Sequence, residues 1–250
     1  MATKEIPPGH VGNLDASQQE SLRGFWRALM QSWDTKIPSP DTPTTPSSPK
    51  PKSGWRFSLS RQPAEEETPA IPANLQSTLK SQGASVNELK AIQTLLTKLP
   101  GDKLRVALLT TLKQEHPDTL LLRFLRAEKW NVPKAWIKLV TALDWRVNVY
   151  RVDEEVLLKG EEYALQKSRL EGDSVEKTNG ESFMIQARTG KGHFHGVDKS
   201  GRPIVIIRVR CHDPHAQSTK GLNDFIVHSI ETARILFVPP VDSIVSQRFS

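Results

Sequence analysis

The residue types that could do chemistry in this chain fall into four groups. His193, His195, His212 and His215 form the first, and alternate residues of a strand share a face, so His193 and His195 can point the same way. A zinc site needs about four ligands at set spacings, and no carboxylate pattern accompanies these histidines. Cys211 stands alone. They read as solvated loop and hairpin histidines, with no metal site expected. Arg123 and Arg126 form the second group, one helical turn apart. Such a pair can meet a phosphate, or can tie its helix to acids such as Glu128 or Asp144. The third is Ser39, Thr42, Thr45 and Ser48, each directly before a proline. Pro40, Pro43, Pro46 and Pro49 recur every third residue, the ~3-residue period of a polyproline II helix. Residues 38–52 are therefore a candidate for a proline-directed kinase or an SH3 or WW partner, or are simply a solvated linker. Glu231 and Arg234 form the fourth, an i,i+3 pair on one helix. No Gly-rich phosphate loop, nucleophile elbow or Ser/His/Asp spacing is present, so catalysis and cofactors are not expected.

These groups sit on elements that the pattern predicts. Of the 18 prolines, 11 fall in the first 72 residues, which sets a Pro/Ser/Thr-rich linker over 35–84. Before it, residues 1–34 hold a tail and a short amphipathic helix. Ser17 and Glu20 offer a capping box, and Leu22, Trp26, Leu29, Met30 and Trp33 give a stripe. That helix can pack on the domain or lie on a membrane; its polar face is not strongly basic, which favours packing.

Ser85 and Glu88 open a helix carrying Leu89, Ile92, Leu95, Leu96 and Leu99, which Pro100-Gly101 ends. Asp102 to Glu115 reads as the next helix, and His116-Pro117 breaks it. Asp118 is the candidate cap of the helix that follows. Leu120 to Arg146 reads as two helices joined at Asn131, with Pro133 tolerated in the first turn. Helical segments are expected at 153–159 and 161–170, and a loop at 172–180.

His193 to Val197 and Pro203 to Arg210 read as a hairpin around Asp198-Lys199-Ser200-Gly201, where Gly201 can take positive φ. Arg202 beside the turn can pin the hairpin or reach a ligand. Ile204 to Ile207 is a continuous apolar run, as in a central strand covered on both faces. A long helix over 218–237 and a strand over 244–249 close the pattern.

Residues 1–75 carry 8 Lys+Arg against 8 Asp+Glu, so the net charge of +6 belongs to the remainder. A basic folded part suits an anionic membrane surface. Nucleic-acid binding is not expected, because the basic residues lack interleaved exposed aromatics. One cysteine, no apolar run of the ~20 residues that span a bilayer and no signal-peptide core predict a cytoplasmic protein, at most peripheral to a membrane.

Four blocks of residues resemble the CRAL-TRIO lipid-binding family, which includes phosphatidylinositol and phosphatidylcholine transfer proteins. They are Gly12-Asn13-Leu14-Asp15 with Gln18 and Gln19; the pair RFLRAEKW and KAWIKLVTALDWR; the hairpin Gly196 to Pro203; and HSIETARIL at 228–236. The resemblance implies an N-terminal helical module over 85–150. It also implies the first part of an α/β domain over 151–250, whose sheet floors an apolar pocket for one phospholipid. It further implies strands and a gate helix beyond residue 250, so that this chain is incomplete. Arg126, Arg202 and Glu231 become candidate headgroup residues. Glu128 stands where members that bind the inositol phosphate carry an arginine, and a carboxylate there would repel a phosphate. The expected function is phospholipid binding and transfer without chemistry. The alternative is a regulatory adaptor working through the linker.

Overall fold

The computed structural model describes residues 6–34, 71–213, 215, 217–237 and 239–249. Six helices build the first half: α1 (Ala16–Trp33), α2 (Ala73–Ser81), α3 (Val86–Lys98), α4 (Gly101–Thr111), α5 (Pro117–Ala127) and α6 (Val132–Asp144). Their shared core takes Phe25 and Leu29 from α1, Leu75 and Leu79 from α2 and Ile92 from α3. Leu104 and Leu108 of α4, Leu121 and Leu125 of α5 and Trp136 of α6 complete it. Fully burying a side chain of the size of Phe25 or Leu29 contributes ~1.5–3 kcal/mol. That gain decides the fate of α1, which packs on the module.

The cap of α1 is Asp15 rather than Ser17. Its carboxylate accepts from the Gln18 amide at 2.8 Å, and the Gln18 side chain accepts from the Asp15 amide at 3.2 Å. The buried stripe is correspondingly turned toward Phe25, Ala28 and Leu29, and leaves Met30 exposed. Asp118 also differs from expectation. His116 is the N-cap of α5, with Pro117 in the first turn. Asp118 instead accepts from Trp26 Nε1 at 2.6 Å, fastening α1 to α5. The caps at Ser85 and Asn131 are as the sequence predicts.

Two loop expectations are corrected. The linker does not reach 84, because α2 occupies Ala73–Ser81 and buries Leu75 and Leu79 completely. Its two leucines, one helical turn apart, sit in a polar stretch that masks the period. Residues 172–180 are not a loop throughout, because α8 (Val175–Thr189) begins behind Ser174, which accepts from the Lys177 amide. Gly180 lies inside α8 because α7 (Gly160–Ser168) crosses there. A Cβ at Gly180 would stand 2.6 Å from the Ser168 amide nitrogen and 2.7 Å from the Ala164 carbonyl oxygen.

After α6 the chain continues in wide π-type turns, Trp145–Val149 and Val152–Leu157, separated by Arg151 at positive φ. The α/β part then holds β1 (Gly192–Val197), β2 (Pro203–Arg208), α9 (Thr219–Ile235) and β3 (Val245–Phe249). Sheet order is β1-β2-β3, with β1 antiparallel and β3 parallel to β2. Gly201 takes φ 75° in the turn, as expected. β2 ends at Arg208, two residues early, in a single tight turn over Val209–Cys211. Ile204 to Ile207 are central but only half-buried, so the expected cover on both faces is incomplete: Val205 and Ile207 border a cavity toward α9, and Ile204 and Ile206, on the opposite face, are half-buried as well.

Gly101 is the tightest joint of the helical module. A Cβ there would lie 2.3 Å from the carbonyl oxygen of Ser32 and 2.5 Å from that of Trp33. Overpacking of this kind costs about 1–3 kcal/mol. Gly101→Ala is expected to lower the thermal midpoint by that equivalent, and an unchanged midpoint would show that α1 does not hold this position against α4.

Candidate functional site: an apolar cavity beside an ionic junction

Alternation along the strands decides what faces α9. Val205 and Ile207 share one face of β2, Phe194 pairs opposite Val205, and Gly192 pairs opposite Ile207. Ser246 of β3 joins them opposite Val205. Across from this face, α9 presents Leu222, Phe225, Ile226, Ser229 and Ile230 at helical spacing. Between the two lies a cavity of about 430 Å³, lined mainly by apolar side chains of these elements and Ile244, with Ser229, Ser246 and His193 among them. Ile226 is 43% exposed and Ile230 49%, so the described residues leave the cavity open along α9. Its one strongly polar end is formed by Gln186, Lys191 and His212. Such a space suits an aliphatic chain, and its volume is within the ~300–1,000 Å³ of small-molecule sites.

Next to it, α9 is tied to the helical module by a buried ionic junction. Arg146 donates to both carboxylate oxygens of Glu231, at 2.8 and 3.0 Å, and to Asp153 at 2.7 Å. Arg234 donates to Glu115 at 3.0 Å and to Glu231 at 3.2 Å, and it also reaches the Thr111 carbonyl. Arg123 pairs with Glu115 at 2.5 Å. Lys113 lies 3.8 Å from both Asp153 and Glu231. Burial works hardest against ionisation of Glu231, but the hydrogen bonds and charges of Arg146 and Arg234 outweigh it and hold the carboxyl below its ordinary value. Burial likewise lowers Arg123, against the pull of Glu115. Burial, then the hydrogen bond to Asp224, raises the hydroxyl of Tyr150.

The three sequence-derived headgroup candidates do not line the cavity. Arg126 pairs with Asp242 and donates to the Gly9 carbonyl at 2.9 Å, binding the N-terminal segment to the loop before β3. Arg202 pairs with Asp198 across the hairpin turn at 2.7 Å. Glu231 is the hub of the junction. Arg123 and Arg126 thus tie their helix to Glu115 and Asp242 rather than to Glu128 or Asp144, and Glu128 accepts from Lys138 at 2.6 Å. His193 contacts the Gly190 carbonyl at 3.1 Å, and His212 contacts Lys191. Among the described residues, no three metal-ligating side chains converge. Ser39, Thr42, Thr45, Ser48 and the whole of 38–52 lie outside the described residues.

Sequence reasoning missed Arg146 and Lys191. Arg146 closes the motif LDWR, and its burial comes from the π-type turn that carries it inward. Lys191 directly precedes β1, whose alternate residues are apolar, and that adjacency is its only local signal.

The described fold is a helical module joined to a mixed sheet that borders an apolar cavity. Residues 76–141 match the model of the CRAL/TRIO N-terminal domain, and residues 187–246 match that of the CRAL/TRIO domain. The chain belongs to the CRAL-TRIO family. It is 27% identical over 262 residues to phosphatidylinositol transfer protein CSR1 of Eremothecium gossypii, covering 96% of this chain and 57% of that protein. It is also 27% identical over 246 residues to the CRAL-TRIO domain-containing protein C3H8.02 of Schizosaccharomyces pombe, covering 94% and 52%. The chain spans about half the length of the curated relatives it matches.

The junction makes a prediction about pH. Glu231 titrates lower in the folded state than in the unfolded chain, so its stabilisation is complete above about pH 4.5 and is lost as pH falls through the folded value. Removing one partner of a buried pair costs about 3–5 kcal/mol, and Glu231→Gln, which keeps an acceptor, is expected toward the low end. Thermal melts from pH 7 to pH 3 should show a gap between wild type and Glu231→Gln that narrows on acidification. A gap that stays constant would remove Glu231 from the acid response.

Proposed function

We propose that this chain is the lipid-holding part of a phospholipid transfer protein of the phosphatidylinositol/phosphatidylcholine class. It takes an acyl chain into the cavity between the sheet and α9, and no bond is made or broken. The observation that carries this reading is the cavity lining: Phe194, Val205, Ile207, Phe225, Ile226 and Ile230 offer an aliphatic chain only apolar neighbours. The likeness to a protein named for phosphatidylinositol transfer supports the same class. Among the described residues no helix is long and apolar enough to cross a membrane, which agrees with a peripheral, cytoplasmic carrier that visits an anionic surface.

The full-length protein is expected to carry phospholipid, identified by lipid mass spectrometry, and to move labelled phosphatidylinositol or phosphatidylcholine between vesicles. Ser229→Trp, which fills the cavity from the α9 side, is expected to reduce bound lipid at least tenfold with little change in the melting midpoint. Lipid content unaffected by Ser229→Trp would place the lipid elsewhere, and movement of neither lipid above a buffer control would contradict the transfer reading.

A further inference from the structure

The polar end of the cavity is a closed ring of four side chains. Lys191 Nζ donates to Gln186 Oε1 at 3.0 Å and lies 2.6 Å from His212 Nδ1. Gln186 Nε2 donates to Gln217 Oε1 at 2.6 Å, and Gln217 Nε2 lies 3.2 Å from the same His212 Nδ1. Both neighbours of His212 Nδ1 are donors, so Nδ1 accepts and the ring proton belongs on Nε2. Gln186 is only 2% exposed, which fixes the ring in place.

The ring carries charge without compensation. Lys191 is half-buried, and among the described residues no carboxylate pairs with it. Asp213, the acid beside His212 in sequence, accepts from the His215 amide at 2.9 Å. Burial lowers the Lys191 amine, and the influence that opposes it comes from Cys211 rather than from a carboxylate. A further cation, Arg208, lies close by. Its guanidinium stands 3.6 Å from where a Cβ on Gly190 would be, and its amide donates to the Lys191 carbonyl at 2.8 Å. Elsewhere in the described structure, buried cations such as Arg146 and Arg234 are met by acids. Two of the three Lys191 N–H groups serve the ring, and among the described residues the third, with His212 Nε2–H, meets no acceptor.

We propose that Lys191, assisted by His212 Nε2–H, anchors the anionic head of a lipid whose acyl chain fills the cavity. The proposal rests on the lipid-holding reading above and adds its headgroup preference: an anionic phosphate or carboxylate over an uncharged head. A charge-assisted hydrogen bond beside an apolar surface is stronger than a neutral one.

The test compares three probes with one oleyl-type chain: oleate, oleoyl lysophosphatidate and oleyl alcohol. Each is titrated by calorimetry below its micelle concentration into wild type, Lys191→Gln, Lys191→Arg and Arg208→Gln. Circular dichroism melts confirm that every variant is folded. Wild type is expected to bind one or both anions at least tenfold tighter than the alcohol; a preference for oleate identifies a carboxylate head, and one for lysophosphatidate a phosphate head. Lys191→Gln should lose that preference, while Lys191→Arg and Arg208→Gln keep it. Equal binding of all three probes overturns the headgroup inference and leaves the lipid reading standing. A preference that survives Lys191→Gln, or that vanishes only in Arg208→Gln, overturns the assignment to Lys191. Failure of all three probes, the alcohol included, defeats the cavity reading itself.

Discussion

The ionic junction around Glu231 is the constraint on which the arrangement of the two halves depends. Charges taken out of water cost several kcal/mol each unless geometry and hydrogen bonds compensate. Here the compensation comes from separate places in the chain. Arg146 and Asp153 arrive on the π-type turns, Arg234 shares α9 with Glu231, and Lys113, Glu115 and Arg123 belong to or flank α4 and α5. Glu231 therefore finds its partners only when α9 lies against the helical module. Dispersed apolar packing would tolerate sliding, whereas bidentate arginine–carboxylate contacts fix register and angle.

Fixing α9 fixes the cavity. Glu231 follows Ile230 and Ser229 directly, so its side chain faces the junction while theirs face the sheet. The helix is held at its C-terminal half by charge and at its N-terminal half by close packing. A Cβ at Gly221 would stand 2.5 Å from the Asn179 carbonyl oxygen, which leaves α9 no room to settle further onto α8. Between these two anchors the apolar face of α9 stands off the sheet and leaves a space of about 430 Å³. The space is open along α9, and its size and apolar lining are those of a ligand cleft.

Local chemistry made much of this legible in the sequence. The capping box at Ser85–Glu88, the Asn131 cap, the turn at Gly201 and the central position of β2 each depend on residues within a few positions of one another. So did the family, through RFLRAEKW, LDWR and the hairpin. What escaped depends on distant partners. Leu75 and Leu79 declare a helix only against the core they enter. Gly180 looks like a breaker until α7 is laid across it. The partners of Arg126, Arg202 and Glu231 lie across the fold or the turn, where no local pattern shows them. Lys191 went unmarked because its lack of an acid partner is a fact of tertiary structure alone.

The central claim is that the lipid chain lies between the sheet and α9, and photocrosslinking tests it most directly. A phospholipid carrying a diazirine near the end of its acyl chain would be loaded into the protein, irradiated, and mapped by peptide mass spectrometry. The account predicts adducts on β2 and α9, at or next to Val205, Ile207, Phe225 and Ile230. Adducts confined to the helical module, or spread over the surface without preference for those two elements, would contradict it.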